Sequence, residues 1–218
     1  MNPATDHSTA SVWLERVRHA LVTVPSNALQ LYAGDDRRRM ARQQMARQGH
    51  VRKAAVLIPI VDATTPHILL TERSRRLRSH PGQISFPGGS VEAQDAGVEA
   101  AALRETREEI GLDTATAEIL GRLPDYVTGT GFDIAPIVAR LPAAARYAPD
   151  QHEVVRILTV PLQHVMAATS FRIETMRIDH ADYRFHVMEY GDDYIWGATA
   201  AMLFGLQQCV RLALDSAD

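Results

Sequence analysis

The chain has one cysteine, Cys209, in 218 residues, so no intrachain disulfide can form, and its apolar surroundings predict a buried, inert thiol rather than a nucleophile. No stretch approaches the run of about 18 apolar residues that a membrane-spanning helix needs, and the first ten residues contain Asp6 and no apolar core. Neither a membrane span nor a signal peptide is expected. The closing residues, Leu214-Asp215-Ser216-Ala217-Asp218, are not a peroxisomal Ser-Lys-Leu address, and the cytoplasm is the expected compartment. A formal net charge of −3 gives no electrostatic reason to wrap a nucleic-acid backbone. Repeats and low-complexity tracts are missing too, and no Cys and His cluster suggests zinc.

What is present suits a globular enzyme. A hydrophobic content of 46% can bury one sizeable core. Trp13, Leu14, Val17, Ala20, Leu21 and Val24 recur at helical spacing, with Ser11 placed as an N-cap and Pro25 as a stop. Arg37, Arg38, Arg39, Arg42 and Arg47 follow in a Gln-rich segment. It reads as a solvated helix face or arm, with contact to an anionic ligand or partner as the alternative. Residues 1–50 are thus expected to be a helix and basic arm packed on a domain spanning 51–218. Apolar runs predict strands over 53–62 and 67–73, then over 117–123, 134–141, 154–160, 171–178 and 183–190, and a closing amphipathic helix over 198–213. The pattern is mixed α+β, helices covering a mixed sheet.

The chemistry concentrates in Arg104-Glu105-Thr106-Arg107-Glu108-Glu109-Ile110-Gly111-Leu112. At 100° per residue the three glutamates fall within about a 100° arc of one helix. Gly111 is a natural helix stop, so these acids lie near the negative end of the helix dipole, and each like-charged pair costs roughly 0.2–0.5 kcal/mol. Solvated surface charge partnered by Arg104 or Arg107 is the ordinary explanation of such a pattern. A hard divalent cation held by carboxylate oxygens is the functional one. Upstream, Phe86-Pro87-Gly88-Gly89 reads as a Gly-Gly turn where backbone groups can approach a metal or phosphate without a Cβ in the way. A polar loop then leads to a helix expected to begin near Ala96.

At these residues the chain resembles the Nudix hydrolases, whose box reads GX5EX7REUXEEXGU with U a bulky aliphatic residue. The second half matches from Arg104 to Leu112, except that Thr106 takes an aliphatic position. In the first half Gly89 and Asp95 each stand one residue early, and a one-residue longer loop reconciles the spacing. Leu69-Leu70-Thr71-Glu72-Arg73-Ser74, then Leu77, His80, Gly82-Gln83 and Phe86-Pro87-Gly88-Gly89, resemble the extra motif that precedes the box in coenzyme A pyrophosphatases. That subgroup also tends to carry the longer loop. Weaker likeness continues through Gly129-Thr130-Gly131-Phe132, Glu153-Val154 and Trp196-Gly197.

The resemblance implies an α/β/α sandwich with a mixed β-sheet, to which the N-terminal helix and arm read from residues 1–50 are added. It implies Mg²⁺ or Mn²⁺ as cofactor, held by Glu105, Glu108 and Glu109 with the Gly89 carbonyl contributing, and Arg104 orienting the glutamates. Pyrophosphate cleavage requires charge neutralisation on nonbridging oxygens and an activated water, which carboxylate-held hard cations supply. The general base is expected among the box glutamates, Glu105 included, or on a later loop, where Glu153 is the candidate. Arg73, Arg76, Arg78 and His80, with the Gly88 backbone, are expected to hold substrate phosphates, including the ribose 3′-phosphate of coenzyme A. Tyr126, Thr128 and Phe132 either line a pantetheine or adenine pocket or form an ordinary turn. The reaction implied is hydrolysis of coenzyme A and its derivatives to 3′,5′-ADP and 4′-phosphopantetheine or its acyl form. A Nudix enzyme acting on ADP-ribose or NADH, or a nucleotide sensor without catalysis, are the alternatives. The expected partner is a small-molecule nucleotide, not nucleic acid or membrane, and the expected assembly is a monomer or homodimer.

Overall fold

The structure, a computed structural model, describes residues 7–29, 31, 51–77, 79–128, 130–178 and 181–216. Among them the chain forms helix α1 (His7–Thr23), strands β1 (Arg52–Asp62), β2 (His67–Arg73), β3 (Ile84–Ser85) and β4 (Gly88–Ser90), and helix α2 (Val98–Ile110). Then follow β5 (Glu118–Arg122), β6 (Tyr126–Val127), β7 (Phe132–Pro142), β8 (Val154–Pro161), α3 (Leu162–Met166), β9 (Phe171–Ile178), β10 (Ala181–Tyr190), β11 (Asp193–Trp196) and α4 (Gly197–Asp215).

Strand β1 is apolar throughout its middle because it is covered on both faces. Alternation sends Ile58 and Ile60 to one side, where they join Ile68, Leu70 and Val138, with Leu14, Val17 and Ala20 of α1 and Leu203, Leu206 and Val210 of α4. Ala55 and Leu57 go to the other, against Ala101 and Ala102 of α2 and Ala135, Ile137 and Ala139 of β7. The result is three layers, α2 below the sheet and α1 with α4 above it.

The main sheet is mixed. β1 runs parallel to β7 from Arg52↔Phe132 to Asp62↔Pro142. Its other edge is shared, β4 pairing antiparallel at Ala55↔Gly89 and β2 at Ile60↔Ile68. β8 lies along the far side of β2, with a bulge at Glu72/Arg73. β9, β10 and β11 form a separate antiparallel sheet, and Arg156 of β8 joins the two by ion pairs to Glu72 and Asp193.

Two predicted helix starts move. α1 is under way by His7, which places Ser11 inside the helix rather than at its cap. α2 begins at Val98, not near Ala96, because Gly97 takes φ 152, outside the range most side chains accept. Gly88 and Gly89 are not a turn but part of β4. They are required there by close approach: a Cβ on Gly88 would sit 2.4 Å from the Ala55 carbonyl oxygen, and one on Gly89 2.4 Å from Glu105 Cδ. The segment holding Arg37, Arg38, Arg39, Arg42 and Arg47, together with Arg78 and Gly129, lies outside the described residues.

Candidate active site

Helix α2 can lie close to the sheet because Ala101 and Ala102 face it, and the same buried face carries Thr106, Glu109 and Ile110. Thr106 tolerates an aliphatic position because its hydroxyl donates to the Ala102 carbonyl at 2.7 Å, a local bond that leaves no buried donor unpaired. Gly111 ends the helix at φ 64, its amide bonded to the Arg107 carbonyl, as αL caps do.

The three glutamates of the predicted arc are buried to very different depths. Glu109 is 3% exposed, Glu105 17% and Glu108 55%. Glu109 accepts hydrogen bonds from Arg73 Nη1 and from the Gly88 amide, both at 3.3 Å. Burial nevertheless pushes its carboxyl up to about 7, Arg73 and Gly88 opposing and Glu153 and Glu105 adding to the rise. Glu105 is raised for the same first reason, burial, with Arg104 opposing and the charges of Glu108 and Glu153 adding to it.

Arg104 organises the rest. Its Nη1 donates to Glu105 and to Glu108 at 3.0 Å each, and its Nη2 to the Ser90 carbonyl at 3.0 Å. Nε and Nη2 together grip both oxygens of Asp95 at 3.0 Å, the two-pronged geometry only a guanidinium offers. Asp95 also accepts from the Glu92 amide. These bonds, that to Arg104 foremost, hold its carboxyl below the usual range. Asp95 therefore anchors Arg104 and turns neither oxygen to the box glutamates.

Glu153 arrives from the loop before β8. Its carbonyl accepts the Ser74 amide at 2.7 Å, and its charge is felt by both Glu105 and Glu109. Arg73, Gly88, Gly89, Arg104, Glu105, Glu108, Glu109 and Glu153 are thus one neighbourhood. His80 is not drawn into it by any hydrogen bond the structure describes: the residue is exposed at φ 55, and its ring bonds Gln83 at 2.8 Å. Arg73, expected on substrate phosphate, pairs with Glu109 through its guanidinium, and Arg76 is exposed.

Thr128 Oγ1 bonds Thr130 and the Phe132 amide, the Phe132 ring lies under the Arg52 guanidinium, and Tyr126 is a core residue 2% exposed. A cavity of about 340 Å³ between α1 and α4, bordered by Val12, His19, Val210 and Leu214, is apolar and on the opposite face of the sheet from α2. The acids and the chemistry they imply lie elsewhere. Residues the sequence reading missed are Ser90, a carbonyl ligand of Arg104, and Ala148 and Asp150, whose amides bond the Ile110 and Glu109 carbonyls at 2.7 and 2.9 Å. The Asp-Gln-His-Glu string at 150–153 is a turn signal that pointed to the last of these.

Among the described residues no three His, Cys, Asp or Glu side chains already converge as a cage for a metal. The fit to a cation lies in donor chemistry and charge. Four carboxylates, Asp95, Glu105, Glu108 and Glu109, pair with two guanidiniums, Arg73 and Arg104, and the charge of a fifth, Glu153, reaches Glu105 and Glu109. Two of the acids, Glu105 and Glu109, are held above their normal ionisation by burial first and by the neighbouring carboxylates after it. Glu105, Glu108, Glu109 and the Gly89 carbonyl are oxygen donors, the set that suits Mg²⁺ or Mn²⁺ rather than zinc.

The sequence model of the NUDIX domain family matches residues 51–192. Among curated proteins the chain is similar to "Uncharacterized Nudix hydrolase NudL" of Enterobacter sp. (strain 638), 38% identical over 153 residues, covering 70% of this chain and 79% of that protein. The protein of the same description from Pectobacterium atrosepticum is 36% identical over 167 residues, 77% of this chain and 84% of that one. Among solved structures, the Nudix hydrolase RenU from M. Smegmatis aligns with a TM-score of 0.44 at 18% identity, over 52% of this chain and 73% of that one. The chain belongs to the Nudix family and is a hydrolase acting on pyrophosphate bonds. No helix among the described residues is long and apolar enough to cross a membrane.

Proposed function

We propose that this enzyme hydrolyses the pyrophosphate bond of coenzyme A and its derivatives, giving 3′,5′-ADP and 4′-phosphopantetheine or its acyl form. The observation that supports it is a shared carboxylate. Arg73 and Gly88, from the two ends of the segment resembling the coenzyme A motif, both bond Glu109 of the Nudix box. Substrate selection and hydrolysis then use one framework, on residues 51–218, to which α1 is an addition.

Glu105, Glu108, Glu109 and the Gly89 carbonyl are the residues that would hold Mg²⁺ or Mn²⁺. Bound there, the cation supplies charge neutralisation at the diphosphate and a more acidic water. Arg104 keeps Glu105 and Glu108 turned to one side, with Asp95 and the Ser90 carbonyl fixing its guanidinium. Glu153, exposed and close enough to raise the carboxyls of Glu105 and Glu109, takes the proton as water attacks phosphorus and the anhydride P–O bond breaks. Arg73 balances Glu109, and its guanidinium with that of the exposed Arg76 would meet the incoming phosphates.

The test is product identification by mass spectrometry from coenzyme A, ADP-ribose and NADH, each with Mg²⁺ or Mn²⁺. Release of 3′,5′-ADP from coenzyme A with the highest kcat/KM is expected. A clear preference for ADP-ribose or NADH would overturn the coenzyme assignment, and binding of all three without cleavage would make the protein a sensor.

A further inference from the structure

The last four carbonyls of an α-helix have no partner inside it, and at the end of α2 two of them are taken by one loop. The Ala148 amide donates to the Ile110 carbonyl at 2.7 Å and the Asp150 amide to the Glu109 carbonyl at 2.9 Å. The contact is tight, since a Cβ on Gly111 would lie 2.8 Å from the Ala148 carbonyl oxygen. Asp150 then builds the next turn. Its Oδ1 accepts from the His152 amide at 2.9 Å, and its carbonyl accepts from the Glu153 amide at 2.9 Å and the Val154 amide at 2.8 Å. One residue therefore bonds the backbone of Glu109 on one side and fixes the backbone of Glu153 on the other.

We propose that Asp150 is a positioning residue, which holds the Glu153 carboxylate in register with the acids of α2 through the turn its side chain closes. The inference rests on the reading of Glu153 as the base in the proposed function. The Asp150 side chain closes the turn leading into Glu153, while its own amide is anchored to the helix that carries the box.

A mutant cycle tests this, with coenzyme A and Mn²⁺ as substrate and metal. Asp150→Ala is expected to lower kcat about tenfold, as misplacement of a reacting group does, with KM within about twofold of wild type and unchanged Mn²⁺ binding. Asp150→Asn keeps the accepting oxygen and is expected to retain wild-type kcat. Asp150→Glu keeps the charge but cannot close the same turn, and is expected to behave like alanine; it serves equally if the alanine variant does not fold. In a Glu153→Gln background, Asp150→Ala should have no further effect. The proposal is overturned if Asp150→Ala and Asp150→Glu keep wild-type kcat, if Asn fails to preserve it, or if the loss persists in the Glu153→Gln background. Wild-type turnover by Glu153→Gln alone would overturn the base assignment itself, a result separable from any behaviour of Asp150.

Discussion

Replacing Glu109 by glutamine removes a negative charge that the metal-free fold holds at a cost, and the size of that cost follows from the site. The carboxyl is 3% exposed and pushed from an ordinary 4.5 up to about 7. A shift of that size corresponds to about 3 kcal/mol between the protonation states. Because the folded value lies above the unfolded one, the folded state binds the extra proton, and wild-type stability from this group falls as pH rises from about 4.5 to about 7. Glutamine has no such dependence. One of its two polar atoms, however, is an NH₂ facing a donor, either Arg73 Nη1 or the Gly88 amide, a mismatch worth about 1 kcal/mol. With chelator present, Glu109→Gln is therefore expected to be about 2 kcal/mol more stable than wild type at pH 8 and slightly less stable at pH 4.5. Urea unfolding followed by the fluorescence of Trp13 and Trp196 measures this, and with a slope near 2 kcal/mol/M the midpoint at pH 8 should rise by about 1 M. Saturating Mn²⁺ should cut the variant's advantage at pH 8 by at least about 1.4 kcal/mol, because wild type binds the ion at least tenfold more tightly. A glutamine variant less stable at every pH, or one whose advantage does not change with pH, would show that the buried Glu109 charge carries no such cost.

Further outcomes follow from the same geometry. Glu108→Gln, at a half-exposed position, should keep stability within about 0.5 kcal/mol while metal-dependent turnover is lost, as melting curves and product assays can check. Gly89→Ala places a Cβ 2.4 Å from Glu105 Cδ, and Mn²⁺ titration should show clearly weakened binding; unchanged affinity would mean Glu105 is not held there. Arg104→Lys cannot reproduce the two-pronged grip on Asp95 and should lower kcat at least tenfold, with little rescue from added metal. The Cys209 thiol, buried and pushed up to about 11, should react with an aromatic disulfide reagent at pH 8 only after urea unfolds the chain.

Much of the architecture was legible because its elements are long and their burial simple. β1 and β7 are covered on both faces and α4 presents a broad apolar stripe, which made their apolar runs plain, and the strands at 67–73 and 171–178 have the limits their composition predicts. β3, β4, β6 and α3 are two to five residues long, too short for any period to register. The box acids could be recognised from their spacing, yet not their unequal burial, which depends on where the sheet lies beneath Glu109 and not Glu108. Asp95 and Gly89 show the same division. The residues stood out in the sequence, but that Asp95 grips Arg104 and that Gly89 yields space to Glu105 are facts of the fold, made by segments brought together through β4 and α2. That Arg73 pairs with Glu109 is likewise a fact of the fold, since the two stand 36 residues apart in the chain.

Glu105, Glu108 and Glu109 are proposed to hold together the divalent cation on which hydrolysis of a diphosphate depends. Electron paramagnetic resonance titration of Mn²⁺ into wild type and into the three single Glu→Gln variants measures this directly. Wild type should bind Mn²⁺ and each variant should bind at least tenfold more weakly; equal binding by all four proteins would show that these glutamates do not hold the ion.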